Sequence, residues 1–210
     1  MSTPASRERR QLADDLLAAG PDAPTLCGDW TARDLAAHVV IRERRPDAAV
    51  GILVGALSGY TDKVQAKTAD DDWGDLVERV RSGPPVWSPT RIDKVDRAVN
   101  TIEFFVHTED IRRAADGWTP RDLDAELEND LAAALARAAK MLTKSAPTGV
   151  TLAPDGREPF VAHEGEPTVT VRGPIGELVL FVYGRQDHAL VEIDGTDDAA
   201  AQLRAAKFGI

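Results

Sequence analysis

The stretch TIEFFVHTEDIRRA, residues 101–114, decides how this 210-residue chain is read. Ile102, Phe104, Phe105 and Val106 make it apolar, yet Glu103 and His107 interrupt the run and Asp110 follows it. At helical spacing Glu103 and His107 lie one above the other on a single face, and Asp110 continues that face. An apolar stripe of Val95, Val99, Ile102 and Val106 runs beside them, which puts the polar pair at the edge of a core or inside it. A carboxylate and an imidazole in that position need partners, because burying them unpaired is costly. Alone, the pair reads either as an exposed i,i+4 contact of about 0.3 kcal/mol or as two corners of a metal site.

The helix that carries this stretch, residues 92–115, belongs to a series. Helical periodicity also covers 5–19, ending at Gly20-Pro21, and resumes at Thr31, where TARD sets Asp34 three residues after an N-cap threonine. That second helix presents Leu35, His38 and Val39 on one face, and Pro46 breaks it. Further helices are expected over 47–57, 75–81 and 123–142. Helices joined by short connections make an antiparallel bundle. After Ser145 the pattern changes to short β-branched runs, TGVTLAP, PFVAH, PTVTVRG and ALVEIDG, separated by Gly- and Pro-rich turns. PIGELVLFVYGR between them suits a helix better than a strand, with proline at its start and glycine at its end. A final helix covers DDAAAQLRAAKF. The expected fold class is α+β, a helical bundle over 1–144 followed by a small α/β domain over 145–210.

The net charge of −10 and the lack of a basic block argue against nucleic acid as a partner. The start is polar and AAVGILVGAL is too short to span a bilayer, so neither a secretory signal nor a membrane anchor is expected and a cytoplasmic location is. The single cysteine, Cys27, rules out an internal disulfide and any multi-cysteine zinc site, and it reads as a small packing residue beside Trp30. His38 is either a hydrogen-bonded core histidine or, if its helix faces the long one, a third ligand beside Glu103 and His107. Two imidazoles and one carboxylate leave positions open, as catalytic metal sites do. Asp110 then suits an orienting carboxylate behind a ligand histidine. Arg42, one turn beyond His38, and Arg45 could clamp an anion.

TLCGDWTARDLAAHVVIRERRPDAA, residues 25–49, resembles the N-terminal signature of the mycothiol-dependent maleylpyruvate isomerase family within the DinB-like metal-binding superfamily, through Cys27, Trp30, Thr31, Asp34, Leu35 and His38. IEFFVHTEDIRRAA resembles the family's second signature, Glu-x-x-x-His-x-x-Asp, at Glu103, His107 and Asp110. VRGPIGELVLFVYGRQ, residues 171–186, is similar to its C-terminal domain, which closes on Gly184 and Arg185. The resemblance implies a DinB-like bundle followed by a sterol-carrier-like domain, and a divalent metal, zinc by preference, on His38, Glu103 and His107. It also implies an active-site role for Arg185, which from the residues alone is equally a cation near a helix C-terminus. RERRPDAA departs from the isomerase and looks like an actinobacterial subgroup.

The resemblance implies a metal-dependent enzyme that uses mycothiol for thiol transfer to, or cis–trans isomerisation of, a small electrophilic or anionic substrate, as a monomer or homodimer. Arg185, with Arg42, would hold a carboxylate of substrate or cofactor. A hydrolase using bound water and a non-catalytic metal- or ligand-binding protein are the alternatives.

Overall fold

In the computed structural model the described residues are 2–45, 47–48 and 58–209. Their helices are α1 (Pro4–Ala19), α2 (Ala32–Arg44), α3 (Ser58–Ala69), α4 (Trp73–Ser82), α5 (Asp93–Arg112), α6 (Ala125–Leu142), α7 (Ile175–Val182) and α8 (Asp197–Ala205). The strands are β1 (Gly149–Pro154), β2 (Phe160–His163), β3 (Thr168–Gly173) and β4 (Glu192–Asp194). The fold class is α+β, and the chain divides into two compact units at Arg121/Asp122.

In the first unit, α1 and α2 both start on a side-chain cap. Thr3 caps α1 by accepting from the Ser6 amide at 3.1 Å, and α1 ends at Gly20. At α2 the Thr31–Asp34 pair forms a reciprocal capping box, with the Thr31 amide donating to Asp34 Oδ2 at 2.9 Å. Such a cap is worth about 1 kcal/mol and sets the phase of the face that carries His38. The core joins Leu12 and Leu16 of α1, Leu35, Val39 and Val40 of α2, Leu76 and Val80 of α4, and Phe104 of α5. Each such burial contributes about 1.5–3 kcal/mol.

Three expectations change here. The helix expected over 47–57 lies largely outside the described residues. The helix over Ser58–Ala69 has no counterpart in the sequence reading, because SGYTDKVQAKTA is polar nearly all round and shows no apolar stripe. Val99, assigned to the apolar stripe of the long helix, is 45 % exposed, while Asp96 and Asn100 are buried in its place.

The second unit is a four-stranded sheet in the order β2-β1-β3-β4 with helices α6, α7 and α8. β1 pairs parallel with β3, and the two outer pairings are antiparallel. The boundary expected at 144/145 marks a change of composition, whereas α6 packs on α7 and β2 through a face that includes Leu127, Leu131, Leu135 and Leu142. Composition records which secondary structure a segment forms and not which unit it packs into. Gly184, in the middle of the YGR turn, has φ of 86°, and a Cβ there would sit 2.7 Å from the Phe208 carbonyl oxygen. Only glycine fits that position.

Candidate metal centre

Four buried polar residues of α5 and the half-buried Glu103 follow a regular spacing. Asp96, Asn100, Glu103, His107 and Asp110 stand four, three, four and three residues apart, which lines them along one seam of the helix. Side chains of α1, α2 and the loop before α2 meet that seam.

At its centre three groups converge on one oxygen. Glu103 Oε1 lies 3.2 Å from His107 Nε2, 3.7 Å from His38 Nε2 and 3.4 Å from Arg42 Nε. His38 and His107 are each 8 % exposed, and their rings meet edge-on at 5.4 Å between centroids. Trp30 closes the other side of His38 at 5.2 Å. Behind His107, Asp110 is fully buried and its Oδ2 accepts from His107 Nδ1 at 3.0 Å. The same oxygen accepts from the Cys27 thiol at 3.0 Å, and the Asp110 carbonyl accepts from the Leu26 amide at 3.1 Å.

Charge follows from this geometry. Burial pushes the Glu103 carboxyl up, but hydrogen bonds from His107 and His38 and the nearby Arg42 charge outweigh it and hold Glu103 well below its ordinary value. Burial pushes His107 down, and hydrogen bonds to Asp110, Cys27 and Glu103 reverse this and hold it well above the ordinary imidazole value. Burial prevails at His38, which is lowered although Glu103 pulls the other way. His38 is therefore a neutral imidazole, the form that donates a lone pair, facing an ionised carboxylate.

Among the described residues two donor groups have all their ligand atoms within 4.8 Å of one another: His38, Glu103 and His107, and Cys27, His107 and Asp110. They share His107 through its opposite ring nitrogens. The first offers two imidazole nitrogens and a carboxylate oxygen, a donor set that suits Zn²⁺ with positions left open. The second is a hydrogen-bond relay in which both neighbours donate to Asp110 Oδ2. It supplies the carboxylate contact that orients ligand histidines.

His38, Glu103, His107 and Asp110 thus lie together; spacing linked Glu103, His107 and Asp110, whereas His38 joined them only through the resemblance. Arg42 reaches the same place, with Nη1 donating to Asn100 Oδ1 at 2.5 Å. Arg45 instead donates to Asp47 at 2.9 and 2.8 Å on the surface. Arg185 lies in the second unit, where its Nη1 donates to the Tyr183 carbonyl at 2.6 Å beside the end of α7. Cys27 packs against the core as expected, and its thiol contact with Asp110 was not visible because the two are 83 positions apart. Asp96 and Asn100 were missed although the spacing of the seam was there to read, since Val95 and Val99 drew the stripe to the neighbouring face.

No protein-family model and no curated protein matches the sequence. Two solved structures resemble the chain, the mycothiol-dependent maleylpyruvate isomerase at 16 % identity and a point mutant of it at 15 %. Each aligns over 92 % of this chain and 96 % of that one, with a TM-score of 0.56. The chain has the α+β fold of mycothiol-dependent maleylpyruvate isomerase, at an identity that establishes the fold alone.

Proposed function

We propose that this chain is a divalent-metal enzyme that uses a thiol cofactor of the mycothiol kind to transfer a thiol to, or isomerise, a small electrophilic substrate. The observation that carries this reading is the convergence of His38 Nε2 and His107 Nε2 on Glu103 Oε1 in a buried setting. His38, Glu103 and His107 hold the ion, Zn²⁺ by preference, and Asp110 fixes the His107 ring. A bound divalent ion favours the thiolate form of a coordinating thiol. The chain's own residues do the rest. His38 presents a neutral nitrogen, Glu103 supplies the negative charge, and Trp30 packs against the His38 ring. Arg42 lies close enough to Glu103 to act on a ligand at the centre, whereas the cofactor or catalytic role of Arg185 rests on the resemblance of the YGR stretch alone.

The protein as purified should carry close to one divalent ion per chain by elemental analysis, and His38→Ala or His107→Ala should lose most of it. Added Cu²⁺ should quench fluorescence from Trp30 beside His38 in the wild type and not in His38→Ala. Wild type and mutants that remain equally metal-free after add-back would end this reading. Consumption of mycothiol by electrophiles only in the presence of metal separates it from a hydrolase, which turns over without thiol, and from a binding protein, which does not turn over.

A further inference from the structure

Arg42 is held more tightly than a surface arginine and faces the proposed metal centre directly. Its Nε is 3.4 Å from Glu103 Oε1, the oxygen that both histidines also approach. Its Nη1 donates to Asn100 Oδ1 at 2.5 Å, and its Nη2 reaches the Val99 carbonyl at 3.4 Å. Asn100 is fully buried and donates to Asp96 Oδ1 at 2.7 Å. Asp96 lies 3.6 Å from Arg9, which grips Glu43 through two bonds of 2.5 Å. The guanidinium is thus fixed at the far end of a chain of buried contacts that runs back to α1.

We infer that Arg42 determines which ligand the centre accepts, biasing its open position towards a single anion such as a thiolate or carboxylate; this rests on the metal reading above. The argument is one of charge. Glu103 and Asp110 together match the two charges of a divalent ion, and His38 and His107 bind it as neutral imidazoles. The Cys27 thiol donates to Asp110 on the side of His107 away from Glu103. Without Arg42 the centre is locally neutral and has no electrostatic reason to prefer an anion. With Arg42 it carries one net positive charge, which one anionic ligand neutralises. Asp96 and Glu43 face Arg9, whose charge offsets part of theirs, and Asp96 stands one hydrogen-bonded residue, Asn100, away from Arg42.

The same position gives Arg42 a second and opposite effect. It shares the Glu103 oxygen with the cation, so it weakens metal binding while strengthening anion binding. A residue that merely props up the fold would lower both affinities when removed. The sign of the two changes therefore isolates the electrostatic role.

The test uses the full chain loaded with Co²⁺ and followed by its visible absorption, titrated with azide and, as a neutral ligand, imidazole. Arg42→Gln should bind Co²⁺ roughly tenfold tighter and azide roughly tenfold weaker, the scale of one partly screened charge at this range. Imidazole affinity should not change, and Arg42→Lys should restore azide binding. Asn100→Ala, which keeps the charge and frees its anchor, should move both affinities in the same directions by less. Azide binding that survives Arg42→Gln, or azide and imidazole affinities that fall together, overturns the assignment. Failure of the wild type to take up Co²⁺ sinks the metal reading and this inference with it. Normal Co²⁺ uptake without the opposed shifts sinks only the inference.

Discussion

α5 and α7 are both deeply buried, and they bury opposite chemistry. α7 is IGELVLFV, all eight residues buried, with Glu177 as its one charged side chain and the Leu190 amide donating to it at 2.8 Å. α5 buries Asp96, Asn100, Thr101, His107, Thr108, Glu109 and Asp110 among its phenylalanines. An apolar helix is stabilised in proportion to the area it hides, and any apolar residue of the right size will serve. A helix like α5 gains nothing from hiding polar groups unless each finds a specific partner. Packing explains α7 fully. It leaves the polar seam of α5 unexplained, and that seam is where the candidate chemistry lies.

The comparison breaks most sharply at Phe181. It is fully buried in α7 and meets Phe208 edge-on at 5.8 Å. Phe181→Ala should destabilise the chain by about 3–5 kcal/mol, read from chemical unfolding monitored by circular dichroism. Metal content measured per folded molecule should not change. A comparable loss of metal would mean that the two helices do not divide stability and chemistry between them.

Asp110→Ala should do the reverse. It leaves the His107 nitrogen and the Cys27 thiol without their shared acceptor, at a cost of about 1–3 kcal/mol. The larger effect should be on metal affinity, a fall of roughly 10–100-fold in chelator competition, as when the carboxylate behind a ligand histidine is lost. Unchanged affinity would reduce Asp110 to a packing residue.

The smallest effect separates a paired carboxylate from one that is only partly paired. Asp15 of α1 accepts from Gln11 through Oδ1, while its buried Oδ2 has no hydrogen-bond partner among the described residues. Burial raises its pKa despite the Gln11 bond and the nearby Arg112 and Arg121. A carboxyl raised in the folded state holds its proton longer there than in the unfolded chain, so its penalty is absent below the unfolded value. The penalty grows as pH rises through the folded one. Asp15→Asn should therefore stabilise the protein by about 0.5 kcal/mol at neutral pH and lose that advantage in acid. Thermal melts across pH 3–7, a range set by the ordinary carboxylate value of about 3.9, check the sign.

The sequence disclosed these regions unequally. α7 and the strands around it were legible because proline, glycine and β-branched runs punctuate them. α2 was legible from its capping box, and Glu103, His107 and Asp110 from their spacing. α3 was not, since a helix without an apolar stripe has no period to detect. α6 was found as a helix, but its packing on α7 and β2 was not, because a leucine face does not name its partner. Arg42 and Cys27 could be nominated, but their contacts with Asn100 and Asp110 join segments 58 and 83 positions apart. No local pattern encodes such separations.

Asp110 has a consequence for the order of events. It holds the loop before α2 through both its carbonyl and its carboxylate, and those bonds are made by protein groups alone. The orientation of the His107 ring is therefore set by hydrogen bonds within the protein. On the proposed reading a metal enters a finished socket, and the entropy of ordering its ligands has already been lost in folding. Removing the metal should return the protein to a folded, waiting state rather than to an open chain.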